Sequence, residues 1–117
     1  MSIFSKRIIE NNLLKEDRNE LIKKITDALK RHPDVLSSYL FGSFATATHH
    51  NNSDIDLLIV SKTKKPFTQR NIDFIFLLEI YAPMDILVYT EDEFQNILNN
   101  HDHGFWKIFR NNHLKIV

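Results

Sequence analysis

Between Asp54 and Val60 the chain reads DIDLLIV, a run that is apolar on both alternating sets of positions once past its aspartates. Side chains alternate between the two faces of a strand, so Ile55, Leu57 and Ile59 point one way and Leu58 and Val60 the other. A strand apolar on both sides must be covered on both sides, which makes this the central strand of a sheet flanked by helices. Asp54 and Asp56 stand against that pattern, because an unpaired carboxylate inside such a strand is costly. Their presence on it needs a reason.

The rest of the chain supplies the helices and the other strands. Ile8, Ile9, Leu13 and Leu14 suggest a short first helix. DRNELIKKITDALKRH (17–32) gives a clearer second one, with Asp17 and Glu20 spaced as a capping box and Leu21, Ile25 and Leu29, beside Ile22 and Ala28, forming one apolar stripe. Pro33 ends it. VLSSYLF (Val35–Phe41) reads as a strand that stops at Gly42, and MDILVY (Met84–Tyr89) as another. FTQRNIDFIFLLEIY (67–81) is apolar throughout Phe74 to Leu78, and its length favours a well-buried helix. Thr90 and Glu93 form a second capping box ahead of Phe94, Ile97 and Leu98; a short helix over FWKIF and a tail NNHLKIV follow. The order α-α-β-β-α-β-α-α describes an α/β (α+β) domain with helices packed on a small mixed sheet.

At 117 residues, 43% of them hydrophobic, the chain has the size of one domain, 1–117, with one core. Lys and Arg number 15, as do Asp and Glu, so no global field draws it to nucleic acid or an anionic membrane. It has no cysteines, which excludes disulfides and thiolate metal sites and fits a reducing compartment; cytoplasm is the expectation. No segment has the apolar length of a signal peptide core or a membrane helix.

Topology then gathers the unusual polar groups. With the first two strands antiparallel and the second and third parallel through a helix, Gly42, Ser43, Asp54, Asp56 and Asp85 all meet at one edge of the sheet. Asp54 and Asp56, at i and i+2, share a face about 6 to 7 Å apart, and Asp85 on a neighbouring strand about 4.8 Å away can join them. Three such carboxylates repel one another unless cations lie between them. Mg²⁺ suits hard oxygen donors of this kind, and two ions would stabilise the attacking and leaving oxygens of a phosphoryl displacement. Gly42 would let the backbone approach a triphosphate, Ser43 would donate its hydroxyl to a phosphate oxygen, and a helix starting at Phe44 would aim its amides there.

GSFA, followed eleven residues after Ser43 by DID and later by MD at the head of a strand, resembles the DNA polymerase beta nucleotidyltransferase superfamily. More narrowly, the chain resembles the minimal nucleotidyltransferase (MNT) domains paired with HEPN toxins. The resemblance spans LIKKITDALKRHPDVLSSYLFGSFA, SDIDLLIV and the closing FWKIFRNNHLKIV. It implies Gly42 and Ser43 as the nucleotide-phosphate contact and Asp54, Asp56 and Asp85 as catalytic Mg²⁺ ligands, Asp85 also preparing the attacking hydroxyl. The implied reaction moves AMP from ATP to a hydroxyl of a protein acceptor, as an antitoxin neutralising a HEPN-type toxin would. Alternatives are a catalytically weak binding module that inhibits by contact, and a small-molecule nucleotidyltransferase whose pocket a homo-oligomer completes.

The chain departs from the resemblance at Thr46 and Ala47, where the motif commonly has arginine and glycine. A lost guanidinium removes a phosphate clamp, and His49, His50 and Lys62 are the candidates to replace it. The pairs His49-His50 and His101-Asp102-His103 fit no zinc spacing and read as solvated loop. Lys62, Lys64 and Lys65 read as loop too. Phe105, Trp106 and Phe109 have the spacing of residues packing on the core or on another chain, with base stacking as the rival use.

Overall fold

The structure, a computed structural model, describes residues 18–42, Ala45 and residues 54–117. The first expected helix, the Asp17 side of its capping box, Ser43, Phe44, Thr46, Ala47 and the His49-His50 pair lie outside the described residues.

Among the described residues helix α1 covers 18–30, and its stripe is what the spacing calls for: Ile25, Ala28 and Leu29 are buried while Lys23, Lys24, Asp27 and Lys30 face solvent. Strand β1 (Val35–Phe41) follows, then β2 (Ile55–Ser61), a helix over Phe67–Glu79, β3 (Met84–Tyr89), α2 (Glu91–Asn100), α3 (Phe105–Asn111) and β4 (His113–Lys115). The four strands lie in the order β3-β2-β1-β4. β1 runs antiparallel to β2 and β4, and β2 parallel to β3, so the sheet is mixed. β2 is interior, and every residue of it except Asp56 is buried.

Alternation on β2 divides the core between two layers. Ile55, Leu57 and Ile59 pack with Ile25, Leu29, Leu40, Phe74 and Leu77, under α1 and the 67–79 helix. Leu58 and Val60 pack on the other face with Phe41, Phe94 and Phe109, under α2 and α3. That second layer is largely aromatic: Phe109 sits edge-on to Tyr39, Phe41, Phe94 and Trp106, with ring centroids 5.7 to 6.1 Å apart. Thr90 and Glu93 form the expected capping box at the start of α2. His101, Asp102 and His103 are exposed, and Asp102 lies 3.9 Å from Arg110 in a solvated pair.

Three features differ from the sequence reading. The 67–79 helix is 3-10 and only one side of it is buried, through Arg70, Phe74 and Leu77; Phe67, Ile72, Ile75, Phe76 and Leu78 are exposed. An apolar run that covers a whole helix surface can turn only one side to a single sheet, and the tighter 3-10 turn stacks i on i+3, which narrows that side further. The closing tail forms strand β4, pairing Tyr39, Leu40 and Phe41 with Lys115, Leu114 and His113. The second strand opens at Ile55, leaving Asp54 just before it.

Arg70 lies inside the fold at 7% exposure. Its guanidinium donates to the Val88 carbonyl at 3.2 Å and forks onto the Glu93 carboxylate at 2.5 and 3.2 Å. Nε donates to the Lys65 carbonyl at 2.8 Å. The 3-10 helix, β3 and the α2 cap are thereby tied at one point. Lys65 itself is paired to Asp73 at 2.6 Å, so one of the three loop lysines is tethered rather than freely solvated. No helix among the described residues is long and apolar enough to cross a membrane.

Candidate active site

The carboxylates occupy the face of the sheet that carries the aromatic layer. Asp56 shares its alternation with Leu58 and Val60, and Asp85 with Leu87 and Tyr89, all of which belong to that layer. Asp56 and Asp85 are register partners across the parallel β2–β3 pair. On its other side Asp56 is the register partner of Phe41, the last residue of β1. Two strands therefore deliver two aspartates, and a third strand ends beside them.

Gly42 is the residue at which β1 ends, with φ at +74°, a conformation L side chains rarely adopt. A Cβ built on it would lie 2.6 Å from Asp56 Oδ2. Glycine is thus required here for two reasons, backbone conformation and the closeness of a carboxylate oxygen. The chain passes over Asp56 as tightly as it can.

Asp56 is half-buried and its carboxyl is pushed up from an ordinary 3.8 to about 6. Burial is the largest cause, followed by the negative charge of Asp85, a hydrogen bond between the two side chains and the charge of Asp54. Asp85 and Asp54 therefore both act on Asp56. They are not equally close: among the described residues no three His, Cys, Asp or Glu side chains are gathered tightly enough to ligate one ion together. Asp56 and Asp85 form the contact pair, with Asp54, exposed, one step outside it. Two facing carboxylates with surplus negative charge beside them fit a hard divalent cation that takes one or two protein carboxylates and fills its other positions with water or phosphate oxygens.

Of the residues expected at this edge, Gly42, Asp54, Asp56 and Asp85 are brought together, while Ser43 lies outside the described residues. Lys62 is ruled out as a replacement cation. It follows the far end of β2, six residues beyond Asp56, or about 20 Å along a strand, and its amide donates to the Asp34 carbonyl at 2.9 Å. A cleft of about 530 Å³ lies there, lined by Lys62, Lys64, Asp34 and Glu91 among others, at the opposite end of β2 from Asp56. Sequence reasoning passed over Arg18, whose Nη2 donates to the Ala45 carbonyl at 3.2 Å and so ties α1 to the chain three residues past Gly42. A lone basic residue among the polar positions of a helix carries no pattern that would have flagged it.

A family model described as polymerase beta, nucleotidyltransferase matches residues 23–114. The chain belongs to this nucleotidyltransferase family. Its mixed four-stranded sheet with helices on both faces is the polymerase beta-like nucleotidyltransferase fold. A similar fold occurs in the crystal structure of a "putative nucleotidyltransferase" from Sulfolobus solfataricus, at 23% identity and a TM-score of 0.50, over 69% of this chain and 77% of that one. Comparison with curated proteins finds none that matches.

Proposed function

We propose that the protein is an Mg²⁺-dependent nucleotidyltransferase that moves AMP from ATP to a hydroxyl on a protein acceptor. The observation that carries this reading is the Asp56–Asp85 carboxylate pair, held in register on parallel strands directly under the Gly42 backbone. Asp56 and Asp85 would hold the cation, with Asp54 as the third carboxylate. When bound, Mg²⁺ supplies charge stabilisation at the oxygens that gain negative charge.

The protein's own groups do the rest. Gly42 brings main chain against the site without a side chain in the way, and Ser43, next in the sequence, would contact the phosphates. Asp85, the more exposed of the pair, would accept the proton of the attacking hydroxyl. The hydroxyl oxygen bonds to the α-phosphorus as the bond to the pyrophosphate oxygen breaks, and pyrophosphate leaves. The proton passes to the carboxylate and then to solvent.

The resemblance of GSFA, SDIDLLIV and FWKIF to MNT domains supports an antitoxin role with a HEPN-type toxin as acceptor. A second reading, a binding module that inhibits the same partner by contact, is favoured by Asp54 standing outside the contact pair and by Thr46 at the usual arginine position. Co-expression with the genomic neighbour separates them. Asp56→Asn abolishes neutralisation if transfer is the mechanism and leaves it nearly intact if contact alone suffices.

A further inference from the structure

The aromatic layer reaches the carboxylates at one place. Phe41, the register partner of Asp56, takes the Phe105 ring edge-on at a centroid distance of 5.2 Å. Phe105 opens α3, and 42% of its surface remains exposed, while Phe109 one turn later is buried. On the aspartate face, then, Phe105 stands one ring contact and one strand spacing away from Asp56.

An exposed phenyl ring is not needed there for the core. Phe109 already closes the layer against Tyr39, Phe41 and Phe94. Trp106 leans on Phe105 edge-on at 4.9 Å and on Tyr89 at 5.6 Å, so the Phe105 ring is fixed from two sides, by Phe41 and Trp106. A ring held in place with part of its surface open is a preorganised stacking surface, and it costs little side-chain entropy to use.

We propose that Phe105 is the nucleobase platform of the site: the base of a nucleoside triphosphate stacks on its open surface while the phosphates run toward Asp56 and Asp85. The proposal rests on the nucleotidyltransferase reading and deepens it. Stacking of this kind accepts every base, because each has a π-face, and it favours purines through their larger rings. Nucleotide choice in this enzyme is therefore graded, with ATP and GTP ahead of CTP and UTP.

Calorimetric titration with MgATP and with magnesium tripolyphosphate, on wild type, Phe105→Leu, Phe105→Ala and Phe105→Trp, tests it. Phe105→Leu keeps apolar packing on Phe41 but removes the π-face, so misfolding cannot imitate the effect. Expected is a loss of MgATP affinity of about tenfold or more in the Leu and Ala variants, retention in Phe105→Trp, and tripolyphosphate binding unchanged throughout. Emission of Trp106, the protein's one tryptophan, should respond to ATP and not to tripolyphosphate. Equal ATP affinity in wild type and Phe105→Leu overturns the proposal and leaves the nucleotidyltransferase reading standing. So does a change of oligomeric state with nucleotide affinity intact, which would make Phe105 a subunit contact. A wild type that binds neither ligand overturns both.

Discussion

Asp56 and Asp85 face each other as register partners on two parallel strands, and their carboxyl groups share a hydrogen bond. Burial first, then the charge of Asp85 and this hydrogen bond, push the Asp56 carboxyl up from 3.8 to about 6. A ¹³C-carboxyl titration by NMR should place its midpoint there, and Asp85→Asn should lower the midpoint by removing a like charge. It should not fall fully to 3.8, because burial, the largest cause, remains.

The same shift makes stability depend on pH in a stated direction. Between 3.8 and about 6 the native state binds more protons than the unfolded chain, so stability falls as pH rises through that window. Glu93 acts oppositely and lower: hydrogen bonding from Arg70 holds its carboxyl below the usual value, so its contribution is present above that value and lost as pH falls through the depressed one. Without divalent cations at neutral pH, Asp56→Asn should be more stable than wild type by on the order of 1 kcal/mol, the full shift being discounted for a half-exposed group. Denaturant melts at pH 4 and 7.5 check this, and adding Mg²⁺ should reverse the order of the two proteins.

Gly42→Ala should damage the site more than the fold. The new Cβ meets Asp56 Oδ2, the end of a side chain that can turn away, so the crowding is relieved by breaking the Asp56–Asp85 contact. The positive φ adds about 1 to 2 kcal/mol of backbone strain. Thermal melts should show that modest cost, while nucleotide transfer is lost. In an Asp56→Ala background the stability cost should shrink toward the backbone strain alone, as a double-mutant cycle would read.

At the other end of the sheet, Glu93→Ala strips the carboxylate from a guanidinium that is only 7% exposed and removes half of the α2 capping box. An uncompensated buried charge together with a lost cap should cost about 3 kcal/mol. Arg70→Met, which keeps the stem's packing and removes the charge, should cost less. Urea denaturation distinguishes the two.

Much of the framework was legible because its signals are periodic. Leu21, Ile25 and Leu29 mark α1, both alternations of β2 mark a central strand, and the two aspartates that interrupt apolar strands meet because β2 and β3 are parallel. β4 was not legible: His113–Lys115 is three residues, too short to show alternation, and it is held by the edge that β1 offers. Nor could composition show that the 67–79 helix would leave five of its apolar residues exposed. Phe105 and Phe109 look alike in the sequence, and only the packing on Phe41 separates the open ring from the buried one.

The most direct test of the site is transfer itself. Wild type, Asp56→Asn and Asp85→Asn are incubated with Mg²⁺ and ATP labelled at either the α- or the γ-phosphorus, with and without the product of the neighbouring gene, and label on protein is scored. Transfer of the α-label alone, dependent on Mg²⁺ and absent in both variants, is the predicted result. Transfer of the γ-label, or α-label that persists in Asp56→Asn, would contradict a nucleotidyltransferase centre at Asp56 and Asp85.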